Sequence, residues 1–157
     1  MANTHLLKTH VEPHVRRWLS GQYSQPFTPE FLRLAGCCGH HEFDAVSADK
    51  RIVCGIKSSS GITSGGKNPA GKISSAYEEL YFLAGVEADQ RFLVLTDEGF
   101  YRLLSRKMQE KLSRDIRLLY CPLTEELAEL VKKVHSEASS EINRGKLTAV
   151  SRKSGIG

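Results

Sequence analysis

The stretch HEFDAVSADKRIVCGIK, residues 41–57, decides the fold that this sequence predicts. Two short runs of strand-forming residues flank a polar turn at residues 48–50, which is typical of a β-hairpin. Pairing residue 47 with residue 51 across that turn would place Asp44 opposite Cys54, with Lys57 beyond the start of the pairing. Strand twist and a bulge would then be needed to bring the Asp44 and Lys57 side chains to one edge.

Helix and strand patterns alternate on both sides of this hairpin. A helix is expected over residues 14–20, with Pro13 in its first turn and Gly21 at its end. The order predicts an α/β fold in which helices flank a mixed central β-sheet. The other expected elements are strands over 31–34, 91–96 and 116–120, with helices over 73–84, from Asp97 to about Leu112 and from Thr124 to about Ile142.

Length and composition indicate an ordinary globular protein. The 157 residues fit one domain, expected over residues 1–143, followed by a basic and flexible tail over 144–157. Hydrophobic residues make up 40% and charged residues 25%, which excludes a disordered or collagen-like chain. No apolar run approaches the roughly 20 residues of a membrane span, and the N-terminus lacks a signal-peptide pattern. The expectation is a soluble, cytoplasmic protein without a membrane partner.

Charge and cysteine usage add two weaker indications. The net charge of +4 is compatible with a polyanionic partner. The four cysteines show no CxxC spacing, so the pattern favours neither a disulfide scaffold nor a zinc ribbon. A reducing compartment fits this usage.

The hairpin residues resemble the PD-(D/E)XK nuclease superfamily, which includes restriction endonucleases and archaeal Holliday-junction resolvases. Phe43-Asp44-Ala45-Val46 looks like the first part of the family pattern and Gly55-Ile56-Lys57 like the second, within a resemblance that spans about residues 12–95. It implies a restriction-endonuclease-like fold, Mg²⁺ or Mn²⁺ as cofactor, DNA as substrate with RNA as the alternative, and a homodimer. Asp44, the Ile56 carbonyl and Glu12 would then hold the metal, and Lys57 would be the catalytic lysine.

The sequence departs from the family pattern at Gly55, where the family usually has Asp or Glu. In some members the acid comes from the following helix, which makes Glu78 or Glu79 a substitute, and we take Glu78 as the candidate catalytic acid. Glu42 is an alternative if a bulge turns it inward. A decayed site would leave a catalytically inactive nucleic-acid-binding or assembly module, and Asp44 with Lys57 would be an exposed salt bridge that contributes well under about 1 kcal/mol.

The Gly- and Ser-rich loop between residues 58 and 71 suggests two further interpretations. Residues 61–68 nearly spell a phosphate-binding P-loop, but Asn68 replaces the magnesium-binding hydroxyl and Pro69 removes a backbone donor, so nucleotide hydrolysis is disfavoured. Hydroxyl groups and lysines are suited to contacts with a nucleic-acid backbone, and the alternative is a mobile solvated loop. The candidate nucleic-acid contacts are Ser58, Ser59, Ser60, Thr63, Ser64, Lys67 and Lys72.

Overall fold

A five-stranded mixed β-sheet, with its strands in chain order, organises the middle of the chain. The computed structural model describes residues 4–61, 69–113 and 115–153 of the 157-residue chain. The first three strands pair antiparallel, and the last two extend the sheet in parallel. The strands are β1 (Phe27–Arg33), β2 (His40–Ser47), β3 (Ile52–Lys57), β4 (Gln90–Leu95) and β5 (Ile116–Tyr120).

Helices cover both faces of this sheet. The parallel pairs require crossover connections, which α3 (Ala70–Gly85) and α4 (Glu98–Lys107) supply. Both helices pack on the face that carries Leu93 and Leu95. On the opposite face, the ring of Tyr23 at the end of α2 (Glu12–Tyr23) stacks on Phe92, with 5.7 Å between the centroids. The predicted α/β fold with a mixed sheet and flanking helices is therefore confirmed.

The hairpin register differs from the predicted one by one residue. Ala45 lies opposite Cys54 and Val46 opposite Val53, so the predicted pairing of Asp44 with Cys54 is wrong. Continuing this register places Asp44 level with Gly55. The physical reason is that the turn is one residue longer than predicted: residues 48–51 connect the strands, so Ser47 is level with Ile52, whose N–H donates to Ser47 Oγ at 3.0 Å.

A β-bulge also interrupts the pairing of β2 with β1. Thr28 pairs with Val46 and Glu30 with Phe43, so Pro29 alone on β1 faces the two residues Asp44 and Ala45 on β2. Proline suits such a position because it has no N–H to donate to the ladder. A bulge turns the side chains that follow it relative to the strand, and this one falls at Asp44.

Several element boundaries extend beyond the predicted ones. The first long helix passes through Gly21 and ends where Ser24 adopts a φ of 54°, because buried Val15 and Leu19 outweigh the roughly 1 kcal/mol helix penalty of an exposed glycine. The strand predicted from residue 31 begins at Phe27. Conversely, α4 ends at Lys107 and not near Leu112.

The chain divides into two compact units, of which Glu12–Pro122 contains the sheet and α2 to α4. The other is formed by residues up to Val11 and from Leu123 onward. It contains α1 (Thr4–Leu6), a π-helix (Leu7–Val11) and α5 (Glu125–Lys153), which continues past the predicted end at Ile142. Within the described ranges, no helix combines the length and apolar character needed to cross a membrane. The proposed domain limit at residue 143 and the flexibility of the tail stay predictions.

Candidate active site

Asp44 is held through both its side chain and its backbone. Its Oδ2 accepts a hydrogen bond from the Ile56 N–H at 2.7 Å, just beyond the last paired residues of β2 and β3. The carboxylate thereby satisfies a backbone donor of β3. The Asp44 carbonyl accepts a bond of 2.9 Å from Arg16 Nη1. These two bonds position Asp44 at the point where the strands separate.

Glu79 of α3 occupies the space that a side chain at position 55 would need. A Cβ built on Gly55 would lie 2.5 Å from Glu79 Cγ and 2.8 Å from Glu79 Oε1. Glu79 is only 8% exposed, so its carboxylate is buried against the backbone of β3. The other two acids considered for this role, Glu78 and Glu42, are exposed. Of the three acids considered, Glu79 is therefore the one that reaches Gly55.

Lys57 meets the same face of α3. Its ammonium donates a hydrogen bond of 3.1 Å to Ser75 Oγ. Ser75 and Glu79 are four residues apart and lie on one side of the helix, just as Gly55 and Lys57 are two apart and lie on one face of the strand. The Lys57 ammonium, through its contact with Ser75, and the Glu79 carboxylate thus lie at adjacent turns of α3.

His41 on β2 is the polar partner of Glu79. Its Nε2 lies 3.3 Å from Glu79 Oε1. The imidazole stacks on Phe82 with 3.9 Å between the centroids and meets Phe43 edge-on at 4.8 Å. The ring is therefore fixed between two aromatic side chains with one nitrogen directed at the carboxylate.

The pKa of Glu79 reflects these surroundings. Burial raises the pKa most, and the Asp44 carboxylate raises it further, whereas His41 and Lys57 lower it. The net direction is upward, as expected for a carboxyl group that has lost water and faces a second acid. Asp44 and Lys57 thus act on one common carboxyl group.

Glu12 is linked to Asp44 through Arg16. Its Oε2 lies 3.5 Å from Arg16 Nη1, the same nitrogen that binds the Asp44 carbonyl. The structure therefore connects the first residue of α2 to the hairpin through one arginine.

The loop after β3 begins beside this site. Ser60 Oγ accepts a hydrogen bond of 3.4 Å from Lys72 Nζ, and Ser58 and Ser59 are half-buried. Asp97 anchors the loop to α4, because its Oδ2 accepts from the N–H of Gly61 at 2.9 Å and from the N–H of Phe100 at 2.8 Å. The three other predicted contacts, Thr63, Ser64 and Lys67, lie outside the described residues.

The donor set at the hairpin suits a hard divalent cation. Mg²⁺ prefers oxygen ligands and is commonly held by one or two carboxylates, with water and substrate phosphate completing its shell. Asp44 and Glu79 supply two such carboxylates, and a cation between them would relieve the repulsion that, after burial, raises the Glu79 pKa. In the part of the chain that the structure describes, no three His, Cys, Asp or Glu side chains are grouped to hold a metal. The residues therefore fit a magnesium-like site of two carboxylates and no closed site of protein ligands alone.

Sequence reasoning reached part of this arrangement. Glu79 lies three residues after Ala76 and four before Leu83, within the apolar stripe of α3, and this position was the signal that it faces the sheet. No comparable signal marked His41, whose role depends on a contact with a residue 38 positions away.

No protein-family model, curated protein or solved structure matches this chain.

Proposed function

We propose that this chain is a metal-dependent nuclease that hydrolyses DNA phosphodiester bonds. One observation carries the proposal: the Glu79 side chain fills the space above Gly55, where the PD-(D/E)XK pattern has its second acid. In this proposal Asp44 and Lys57 take the other two places of that pattern. The restriction-endonuclease-like version of the α/β fold is part of the same proposal.

In this proposal Asp44 and Glu79 hold Mg²⁺ or Mn²⁺, and the Ile56 carbonyl and Glu12 are the further oxygen donors that the family resemblance implies. When bound, such an ion stabilises negative charge on a phosphate and lowers the pKa of a bound water. Binding requires ionised carboxyl groups, so the raised pKa of Glu79 favours cation binding at neutral or higher pH over acidic pH.

Lys57 has the role of orienting the attacking water and stabilising the charge that develops on the phosphate oxygens. An ammonium group held in advance contributes most because it need not reorient during the reaction. The bond to Ser75 provides this positioning. The Lys57 ammonium also interacts electrostatically with Glu79, so the lysine and the acid lie on the same side of the sheet.

The substrate class follows from the groups that surround the site. Ser58, Ser59, Ser60 and Lys72 offer hydroxyl and ammonium donors next to the end of β3, and the net charge of +4 favours a polyanion. We propose DNA as the substrate, with RNA as the alternative. A homodimer is proposed with it, because one active site cuts one strand.

The test is a nicking assay on supercoiled plasmid with Mg²⁺ or Mn²⁺. We expect nicking by the wild-type chain and a loss of at least about a hundredfold in Asp44→Ala, Lys57→Ala and Glu79→Gln, since each removes a group that acts on the phosphate or the cation. Glu78→Gln discriminates between the two helix acids, because it changes the same chemistry at an exposed position. Activity lost in Glu78→Gln and kept in Glu79→Gln would reverse the assignment of the acid.

A catalytically inactive nucleic-acid-binding module on the same scaffold is the second candidate. The observation that favours it is the lack of a group of three metal-binding side chains within the described residues. If DNA binds but neither metal supports nicking, or if the three variants nick as well as the wild type, this second candidate replaces the enzyme.

A further inference from the structure

We propose that His41 is a positioning residue that holds the Glu79 carboxylate in the orientation required to bind the divalent cation. The inference rests on the proposed function, because it assigns a partner to the acid of that site. His41 would be the fourth side chain of the proposed site, beside Asp44, Lys57 and Glu79, and like Asp44 it lies on β2.

A positioning residue is needed because the acid comes from α3 and not from β3. An aspartate on β3 would have a short side chain fixed by the strand, whereas Glu79 reaches the strand from a helix through a longer side chain with more rotamers. Gly55 leaves the space but supplies no side-chain group to orient the carboxylate. Orientation must therefore come from elsewhere.

His41 meets this need through contacts on three sides. Phe82 covers one face of the ring at 3.9 Å with an angle of 13° between the planes, and Phe43 touches the ring at 80°. An ionised carboxylate can only accept hydrogen bonds, so the imidazole donates from Nε2 to Glu79 Oε1 over 3.3 Å. A fixed donor on one oxygen orients the whole carboxylate plane, as outer-shell partners do for metal ligands in general.

Two substitutions separate this role from simple packing. His41→Phe keeps an aromatic ring between Phe82 and Phe43 but removes the donor. His41→Gln removes the ring but retains an N–H that can reach the carboxylate. If His41 acts only by packing, His41→Phe should bind Mn²⁺ as the wild type does. If His41 positions the carboxylate, His41→Gln should bind Mn²⁺ as the wild type does.

The experiment is calorimetric titration of Mn²⁺ into the metal-free chain of 157 residues, with the melting temperature of each variant measured in parallel. We expect His41→Phe to weaken Mn²⁺ binding by about tenfold to a hundredfold, the range typical for loss of an outer-shell partner. His41→Gln should stay within about threefold of the wild type. Glu79→Gln should weaken binding at least as much as His41→Phe.

Unchanged Mn²⁺ affinity in His41→Phe overturns the inference. If His41→Phe both weakens Mn²⁺ binding and lowers the melting temperature, the result for His41→Gln decides. An Mn²⁺ affinity close to that of the wild type in His41→Gln supports positioning, and a loss similar to that of His41→Phe assigns His41 to packing. Mn²⁺ binding with the expected pattern but without plasmid nicking would keep the role of His41 and remove the nuclease. A wild-type chain that binds no Mn²⁺ overturns both.

Discussion

Glu79 is the residue at which the opposing charges of the site meet. Burial and Asp44 raise its pKa above the ordinary value, and the charges of His41 and Lys57, together with the hydrogen bond from His41, offset only part of this. The folded chain therefore binds the Glu79 proton more tightly than the unfolded chain does. Where the folded state binds more protons, stability falls as the pH rises.

This linkage predicts how Glu79→Gln changes stability in the absence of metal. Below the ordinary carboxyl pKa of about 4.3, the acid is protonated in both states and its contribution to stability is fully present. That contribution is lost as the pH rises through the raised folded-state pKa, whereas the contribution of a glutamine does not change with pH. We expect the variant to gain free energy of unfolding relative to the wild type between pH 4 and 8, by about 1.4 kcal/mol for each unit of difference in pKa.

Urea unfolding at a series of pH values in EDTA measures this effect. Glu78→Gln is the matched control, because the same change at an exposed position should give a nearly constant difference from the wild type. A constant difference for Glu79→Gln as well would contradict the burial of its carboxylate.

At the scale of elements, β3 and α3 meet through two contacts that match in spacing. Gly55 faces Glu79 and Lys57 faces Ser75, so a step of two residues on the strand corresponds to four on the helix. Two strand residues rise about 6.6 Å and four helix residues about 6 Å, so both contacts form without distortion. The site therefore depends on a close approach of helix to strand that a side chain at position 55 would prevent.

A double-mutant cycle tests this close approach. Gly55→Ala should lower the free energy of unfolding by about 1–3 kcal/mol, because its Cβ would overlap Glu79 Cγ. In a Glu79→Ala background the same substitution should cost close to nothing, which gives a coupling energy of at least about 1 kcal/mol.

Gly21→Ala is the control for the general effect of replacing glycine. Gly21 is exposed within α2 and has no neighbour within 4 Å, so alanine there should stabilise by about 0.5–1 kcal/mol. An equal cost of Gly55→Ala with and without the Glu79 side chain would show that the two residues do not compete for one space.

At the scale of the whole molecule, the net charge of +4 has a measurable consequence for DNA binding. Lysines that neutralise phosphates release condensed counterions, so the logarithm of the affinity falls linearly with the logarithm of the salt concentration. We expect this dependence for a short DNA duplex in EDTA, and a slope reduced by about one in Lys72→Ala.

Fluorescence anisotropy between 50 and about 200 mM salt is a suitable measurement. Lys132→Ala is the control, since Lys132 belongs to the second unit and lies 3.5 Å from Glu129. An affinity that does not depend on salt would remove DNA as the proposed partner.

Local pattern by itself determined much of this protein. Alternation and turn residues predicted the hairpin, and helix periodicity predicted α3. The continuous apolar run predicted β4, whose residues 92–95 are all buried. The caps were readable too: Asp97 accepts from the Phe100 N–H and Thr124 from the Leu127 N–H. These features depend on neighbours within a few residues, which is the range over which propensity and capping act.

Only the tertiary structure decided the hairpin register and which acid reaches Gly55. Because residues 45–47 and 52–56 are all buried, alternation of apolar residues did not select the register, and a shift of one residue exchanges the faces of a strand. The sequence leaves Glu78 and Glu79 as alternatives, with Glu78 as the candidate, because the contact of Glu79 with Gly55 requires α3 to lie at one particular position along β3. The position of α3 along β3 is set by packing of the whole core around Leu80, Leu83 and Leu93, and no single segment contains this information.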